Sequence, residues 1–148
     1  MMDPTALEET TLVEVTVAGQ SCGVPVLAVR DVLEAQPVTR VPLAPPEIAG
    51  SLNLRGRVVT VIDLRRRLGL PPLTGRGGKY VVVEQNGELY ALAVDEVSEV
   101  STLSAAHHDR PPANLPAVWV AFCEGVFRLP QRLMLVLSVP RLLSIGAG

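Results

Sequence analysis

Apolar and polar residues alternate in short runs along most of this chain, and the runs are separated by glycine or proline. Residues 11–17 read T-L-V-E-V-T-V, with Leu12, Glu14 and Thr16 on one side and Val13, Val15 and Val17 on the other. This period-two, valine-rich pattern predicts a strand. Gly19-Gln20 then predicts a hairpin turn, with residues 23–27 as the return strand. Residues 28–33 are expected to form a single helical turn. Residues 43–47, L-A-P-P-E, read as a loop from which Pro46 opens a short helix through Ile48, since proline is tolerated at the first helical position. Residues 51–54 and 58–62 are expected as strands about a turn at Arg55-Gly56, and residues 65–68 as a short helix closed by Gly69. The Pro- and Gly-rich stretch 71–78 reads as a linker. Beyond it, strands at 79–84 and 89–94 flank Asn86-Gly87, a strong two-residue hairpin signal. Residues 104–116 form the expected insertion loop. Strands follow at 118–122, 126–129 and 133–139, and a helical turn at 141–143.

The second half of this plan copies the first. Gly50 aligns with Gly125, Leu54 with Leu129, Arg57 with Arg132, Val61 with Val136, Arg66 with Arg141 and Leu68 with Leu143, all at one offset. Upstream, Leu27-Ala28-Val29 aligns with Leu92-Ala93-Val94, Val32 with Val97 and Glu34 with Glu99. That offset is shorter, which implies a ten-residue insertion in the second half. Duplication of this kind predicts one supersecondary unit built twice. The expected fold is mainly β: two small five-stranded, SH3-like barrel lobes with short helical turns, closed so that no sheet edge is left. The first lobe is placed at 19–72 and the second at 79–146. Residues 1–9 are expected to be a flexible lead, and strand 11–17 to pack on the second lobe, all within one domain at 10–148.

Composition narrows the function classes. At 148 residues with 48% apolar content, the chain can bury a true core. Its net charge of −2 offers no basic excess for nucleic acid. No apolar run is long enough to span a bilayer, and the N-terminus lacks a signal-peptide pattern. Cys22 and Cys123 show no paired spacing, which favours small buried hydrophobes in a reducing cytoplasm over a disulfide. His107-His108 is a poor metal clamp, because adjacent side chains diverge. No phosphate loop or nucleophile elbow is present. Arg65-Arg66-Arg67 reads as a solvated helix face rather than an anion site, and Asp63 before it as the helix cap. No catalytic residue, metal or cofactor is expected. Trp119, Phe122 and Phe127 crowd one region and Val118–Val126 is unusually apolar; exposed, this stretch would be a second interaction surface, and buried, the favoured reading, it is second-lobe core.

Several motifs together resemble one family. Gly23-Val24-Pro25-Val26, Val29-Arg30-Asp31-Val32, Val38-Thr39-Arg40-Val41-Pro42, Asn53-Leu54-Arg55-Gly56, Val61-Ile62-Asp63-Leu64 and Val94-Asp95-Glu96-Val97-Ser98-Glu99-Val100 are similar in type and spacing to the CheW-type chemotaxis coupling proteins. The resemblance implies a cytoplasmic, non-enzymatic scaffold with two barrel lobes, recruited to membrane-anchored receptor arrays. Its implied partners are the regulatory domain of the histidine kinase CheA and the cytoplasmic tips of chemoreceptors, with self-association in arrays as a further expectation. It assigns partner binding to Arg55, Asn53 and Gly56, with Asp31 as the carboxylate facing Arg55, and receptor-groove contacts to Val29 and Val32. Gly50 is expected to serve backbone geometry. Two alternatives stand beside this reading: a coupling protein of a non-motility chemosensory pathway, and a decoy that binds the kinase alone. The decoy is suggested by departures in the second half, where Ser138 stands at the acidic cap position and Pro130-Gln131 in the turn. A small-molecule or enzymatic barrel would need convergent polar groups in an apolar pocket.

Overall fold

The computed structural model describes residues 9–71 and 78–144. The strands are β1 (Glu9–Val17), β2 (Gln20–Pro25), β3 (Val29–Glu34), β4 (Ile48–Leu54), β5 (Arg57–Asp63), β6 (Lys79–Gln85), β7 (Glu88–Val94), β8 (Glu96–Ser104), β9 (His108–Asp109), β10 (Cys123–Arg128) and β11 (Leu133–Leu137). The helices are short: α1 (Leu64–Arg67), α2 (Ala117–Ala121) and α3 (Val139–Leu143). The fold is mainly β, in two SH3-like lobes. One is a five-stranded sheet of order β3-β6-β7-β5-β4, and the other a six-stranded sheet of order β8-β1-β2-β11-β10-β9.

The two sheets are built alike. The β4–β5 and β10–β11 hairpins carry the same bulge, opposite Ile62/Val61 in one and Leu137/Val136 in the other. Each hairpin then pairs in parallel with a second hairpin, through Val61↔Ala91 in the first lobe and Val136↔Gly23 in the second. Those second hairpins are exchanged between the halves of the sequence. β6–β7 completes the first lobe, and β1–β2 completes the second. The first lobe is therefore the continuous stretch from β3 to β7, and the second combines β1–β2 with everything after β7. This corrects the boundaries at 19–72 and 79–146. The sequence pattern marks strands, while the parallel pairings that decide membership are non-local.

The upstream repeat offset is also corrected. Val29 pairs with Val83 as Val97 pairs with Val15, and Val32 pairs with Val81 as Val100 pairs with Val13. Structurally, Val97 is the counterpart of Val29 and Val100 that of Val32, about three residues from the sequence match. Of residues 28–33, expected as a helical turn, all but Ala28 are strand, and Ala28 ends a 3-10 turn at Val26–Ala28. Of residues 118–122, expected as a strand, the first four lie in α2 and Phe122 caps its C-terminus. Pro46 and Glu47 form a turn, with no helix. Among the described residues the edge strands of neither sheet pair with each other. The expected closure is replaced by partial covering, in which Thr39 bridges Ser51 on the outer edge of β4 and β9 lies on β10. The expectations for residues 1–8, 72–77 and 145–148 lie outside the described residues.

The largest core lies between the lobes. It takes Val13, Val15, Val17 and Val24 from one sheet, Ile62, Val81, Val83 and Leu92 from the other, and Leu64, Trp119 and Leu142 from the helices. Each lobe also has its own interior, with Val59, Val61, Tyr80 and Val82 in the first and Leu12, Phe127, Met134 and Val136 in the second. β6 explains its own sequence. Val81 and Val83 face the shared core while Tyr80 and Val82 face the lobe interior, so the strand is apolar on both sides. Trp119 is buried in the shared core, but Val118 and Val120 beside it are exposed, so the apolar cluster is only partly core.

Arginines of α1 fasten the lobes together. Arg65 donates from Nε and Nη2 to the Asp95 carboxylate at 2.9 and 2.7 Å, and the same carboxylate accepts the Ala18 N–H at 2.8 Å. Those hydrogen bonds from Arg65 hold Asp95 below the usual carboxylate range; burial opposes them, and the Ala18 N–H assists. Arg67 donates to the Leu142, Arg141 and Ser144 carbonyls at the end of α3, at 3.0, 3.1 and 3.3 Å, and stacks over Phe122 at 4.6 Å. For these two residues the solvated-face reading is wrong: Arg67 crosses to α3 of the second lobe, and Arg65 holds Asp95, one residue past β7, whose carboxylate also takes the Ala18 N–H of the second lobe.

Candidate lobe-end and groove surfaces

At one end of the first lobe the β4–β5 hairpin turns in two residues. Arg55 has φ 52° and Gly56 φ 88°, the doubly left-handed geometry of the turn that matches strand twist. The Asn53 side-chain oxygen accepts the Gly56 N–H at 2.8 Å, which locks the turn locally. The N-L-R-G motif thus has a physical division of labour. Asn53 stabilises the turn, Gly56 takes a positive φ, and Arg55 is presented at the tip in a backbone region that is unfavourable for it. No atom lies within 4 Å of a Cβ built on Gly56, so its requirement is conformational rather than one of crowding within the chain.

Arg55 and Asp31 meet. Nη2 lies 3.4 Å from Asp31 Oδ2, with the arginine side chain 79% exposed. The other carboxylate oxygen accepts the Val32 N–H at 2.8 Å. Asp31 reaches the lobe end because β3 bulges at Arg30: Val29 pairs with Val83, and the next pair is Asp31 with Val82. The bulge also separates the candidate residues. Val29 and Val32 share the side of Val83 and Val81, toward the core between the lobes, whereas Asp31 faces the first-lobe interior. Val29 is half-buried, and Val32 is exposed, as is Leu27 just upstream. The sequence candidates therefore fall on two surfaces: Asp31, Asn53, Arg55 and Gly56 at the lobe end, and Val29 with Val32 on the shared-core side of β3. Arg55 and Asp31 rim a cleft of about 180 Å³ floored by Leu54, Val82 and Leu89.

The matching end of the second lobe holds a polar cluster that the sequence reading missed. Arg132, the repeat partner of Arg57, donates from Nε and Nη2 to Glu14 at 2.7 and 2.9 Å, and the Ser21 hydroxyl donates to the same carboxylate. Glu14 is only 5% exposed. Burial pushes its carboxyl up, but the hydrogen bonds from Arg132 and Ser21 outweigh that and leave it below its ordinary value. The available signal was a glutamate in the apolar register of β1, where it shares a face with Leu12.

The remaining candidates are structural. Asp63 Oδ1 accepts the N–H groups of Arg65 and Arg66 at 3.0 and 3.4 Å and so caps α1. Ser138, expected to leave α3 uncapped, instead accepts the Arg141 N–H at 3.4 Å, so the cap is retained without an acid. At Gly50 a Cβ would lie 2.5 Å from the Thr39 carbonyl oxygen. Only glycine lets residues 36–47 lie against β4, where Thr39 and Ser51 exchange two backbone bonds of 2.8 Å. His108 sits edge-on to Phe127 with centroids 5.2 Å apart, and its ring occupies the space that a side chain at Gly125 would need. Cys22 is fully buried and its thiol is pushed up to about 12, chiefly by burial, so it is inert as a nucleophile. Among the described residues no group of three or more His, Cys, Asp or Glu is placed to hold a metal ion. No described helix is long and apolar enough to cross a membrane.

Comparison with known proteins agrees with this architecture. The model of the CheW-like domain matches residues 11–146. The chain is 23% identical to the chemotaxis protein CheW of Treponema pallidum, over 93% of this chain and 84% of that protein. It is 29% identical to the chemotaxis protein CheW of Bacillus subtilis, over 86% and 83%. Among solved structures, the scaffolding protein TtCheW of Thermoanaerobacter tengcongensis superimposes with a TM-score of 0.84 at 25% identity, covering 95% of this chain and 97% of that one. With nearly its whole length matched and the same two-lobed sheet architecture, this chain belongs to the CheW-like domain family.

Proposed function

We propose that this chain is a non-enzymatic adaptor that couples the cytoplasmic tips of chemoreceptors to the regulatory domain of the histidine kinase CheA. Relatives named as chemotaxis proteins and a neighbour named as a scaffolding protein support the pathway and the class of role. The observation that carries the reading is the Arg55 tip. A strained, side-chain-locked turn presents an arginine that, among the described residues, Asp31 alone holds, by one contact that leaves most of its donors free. A guanidinium so placed engages a partner's carboxylate or carbonyl without first breaking a strong bond. The exposed Leu27 and Val32 beside half-buried Val29 offer an apolar face to a receptor helix. In this scheme kinase and receptor occupy separate surfaces, and the bridged shared core transmits between them; coupling free energies for such arrangements are typically about 1–3 kcal/mol. The kinase-only alternative draws on Ser138 and on Pro130-Gln131, and the cap that Ser138 retains removes the first of these two motives.

The test is a pull-down against the kinase regulatory domain and a receptor cytoplasmic fragment, separately and together. Arg55→Ala should weaken kinase-domain binding by about tenfold or more while the melting temperature stays put, because an exposed pair of this kind adds only about 0–1 kcal/mol to folding. Binding that is unchanged, or lost only because the variant unfolds, would refute the interface role.

A further inference from the structure

The third arginine of α1 has no strong partner among the described residues. Arg65 is held by Asp95 and Arg67 by the α3 carbonyls, but Arg66 has only Asp63 at 3.9 Å, and the Asp63 carboxylate is engaged with backbone N–H groups. The Arg66 side chain is about half exposed and lines a cavity of about 510 Å³. The facing wall is the segment 36–47, which contributes Arg40. Among the described residues no carboxylate lies within ion-pair distance of Arg40. Pro45, Pro46 and Ile48 line the cavity between the two arginines. The segment's only acid, Glu47, is not among the lining residues.

A second observation concerns the same segment. Leu43 has φ 62° and a fully exposed side chain, and Val41 beside it is also exposed. A leucine in the left-handed region is strained, and among the described residues its side chain is left uncovered. Such outliers persist where the surrounding structure imposes them and tend to mark sites of use. Here the left-handed residue is the third of the Val41-Pro42-Leu43-Ala44 turn, closed by the Ala44 N–H to the Val41 carbonyl at 3.3 Å, and the paired Thr39–Ser51 bonds and the Asp63 N–H to Glu47 carbonyl bond of 2.8 Å fix the segment on either side.

We infer that this cavity docks an acidic segment of a partner protein. Carboxylates engage Arg40 and Arg66, and an apolar residue of the segment lies against Val41 and Leu43. Charge complementarity selects the occupant, because two arginines without strong partners face one concave space and no carboxylate lines it. The site lies at the Ile48 end of β4, and the Arg55 turn follows its Leu54 end, about 20 Å away at the rise of a strand. It is therefore a separate surface and does not depend on the coupling role.

The probe is a fluorescein-labelled peptide of glutamates with leucine at every third position, titrated with the full chain and followed by anisotropy. A lysine counterpart serves as the control. The glutamate peptide should bind, the lysine peptide should not, and affinity should fall as salt is raised. Arg40→Glu and Arg66→Glu should each weaken binding by about tenfold, Arg66→Gln less, and Leu43→Ser by about threefold. Arg110→Glu, on the other lobe, should leave it unchanged. Melting curves of each variant show that the fold is kept; if a charge reversal unfolds the chain, Arg66→Gln carries the test. Absence of binding, or equal losses from Arg110→Glu and Arg66→Glu, overturns the inference. Inorganic phosphate displacing the peptide as well as an unlabelled copy does would also overturn it, by identifying a simple anion site. None of these readouts involves receptor or kinase, so the result stands apart from the Arg55 test.

Discussion

Arg132→Leu would strip the Glu14 carboxylate of both arginine hydrogen bonds and leave it with Ser21 alone, at 5% exposure. Breaking a fully buried pair by removing one partner costs about 3–5 kcal/mol. Arg132 is 42% exposed, so water screens part of the attraction, and a loss of about 2–3 kcal/mol is expected at neutral pH. For a chain of this size that lowers the melting temperature by about 6–10 °C. The pH dependence separates this mechanism from a simple packing loss. In the native protein the Glu14 pKa is below its ordinary value, so its contribution is fully present above the unfolded pKa near 4.5 and is lost as pH falls through the folded pKa. In Arg132→Leu, burial dominates and raises the folded pKa above the unfolded value. The variant then suffers at neutral pH and is relieved as the carboxyl takes a proton. The stability gap between the two proteins should therefore shrink steadily on acidification through the carboxylate range. Urea unfolding at a series of pH values reads this directly. A gap that stays constant across the series would refute the argument. The Glu14→Leu/Arg132→Leu double variant should be more stable than Arg132→Leu alone, because it leaves no buried charge unpaired.

Two further outcomes follow from the packing. Gly50→Ala should cost about 2 kcal/mol or more in urea unfolding and free the Thr39 and Ser51 amides to exchange, because a Cβ at 2.5 Å from the Thr39 carbonyl must break the two bonds that hold residues 36–47; unchanged amide protection would count against it. His108→Ala should cost about 1 kcal/mol through the lost edge-on contact with Phe127, whereas His107→Ala should be silent; equal effects would show that the ring contact adds nothing.

Local chemistry was the legible part of this sequence. Asn86-Gly87 and Arg55-Gly56 are turn signals complete within four residues, and each sits at a hairpin tip in the structure. The apolar run V-W-V-A-F was not legible, since periodicity cannot separate a buried strand from one turn of helix. In α2 the run places Trp119 in the shared core and leaves Val118 and Val120 outside. The Leu-Ala-Val match between the halves was misleading, because a three-residue identity in a Val- and Leu-rich chain carries little register information. Arg65 and Asp95 are far apart in sequence, and only the exchanged hairpins bring them together. The Asp31–Arg55 contact came from a family pattern, but the bulge that turns Asp31 away from the side of Val29 and Val32 has no sequence marker of its own.

The exchanged hairpins set an order of assembly. β1–β2 leaves the ribosome first, yet its neighbours β8 and β11 are among the last strands made. Closing Val15 onto Val97 through an unfolded chain carries the entropy of a loop more than half the length of the protein. The first lobe needs no such wait, because all five of its strands lie between Val29 and Val94. Once it forms, its two ends are held at fixed places on one sheet, Val29 level with Tyr90 and Val94 level with Glu34, and the long flexible loop is replaced by that short fixed span. Pulse-labelled exchange during refolding should accordingly protect Val82 and Ala91 before Val15 and Leu135; the reverse order would mean that the terminal strands find each other unaided. In kinetic terms the first lobe acts as a template that lowers the closure entropy of the second, so core mutations at Val82 should slow folding of the whole chain, while those at Leu135 mainly hasten its unfolding.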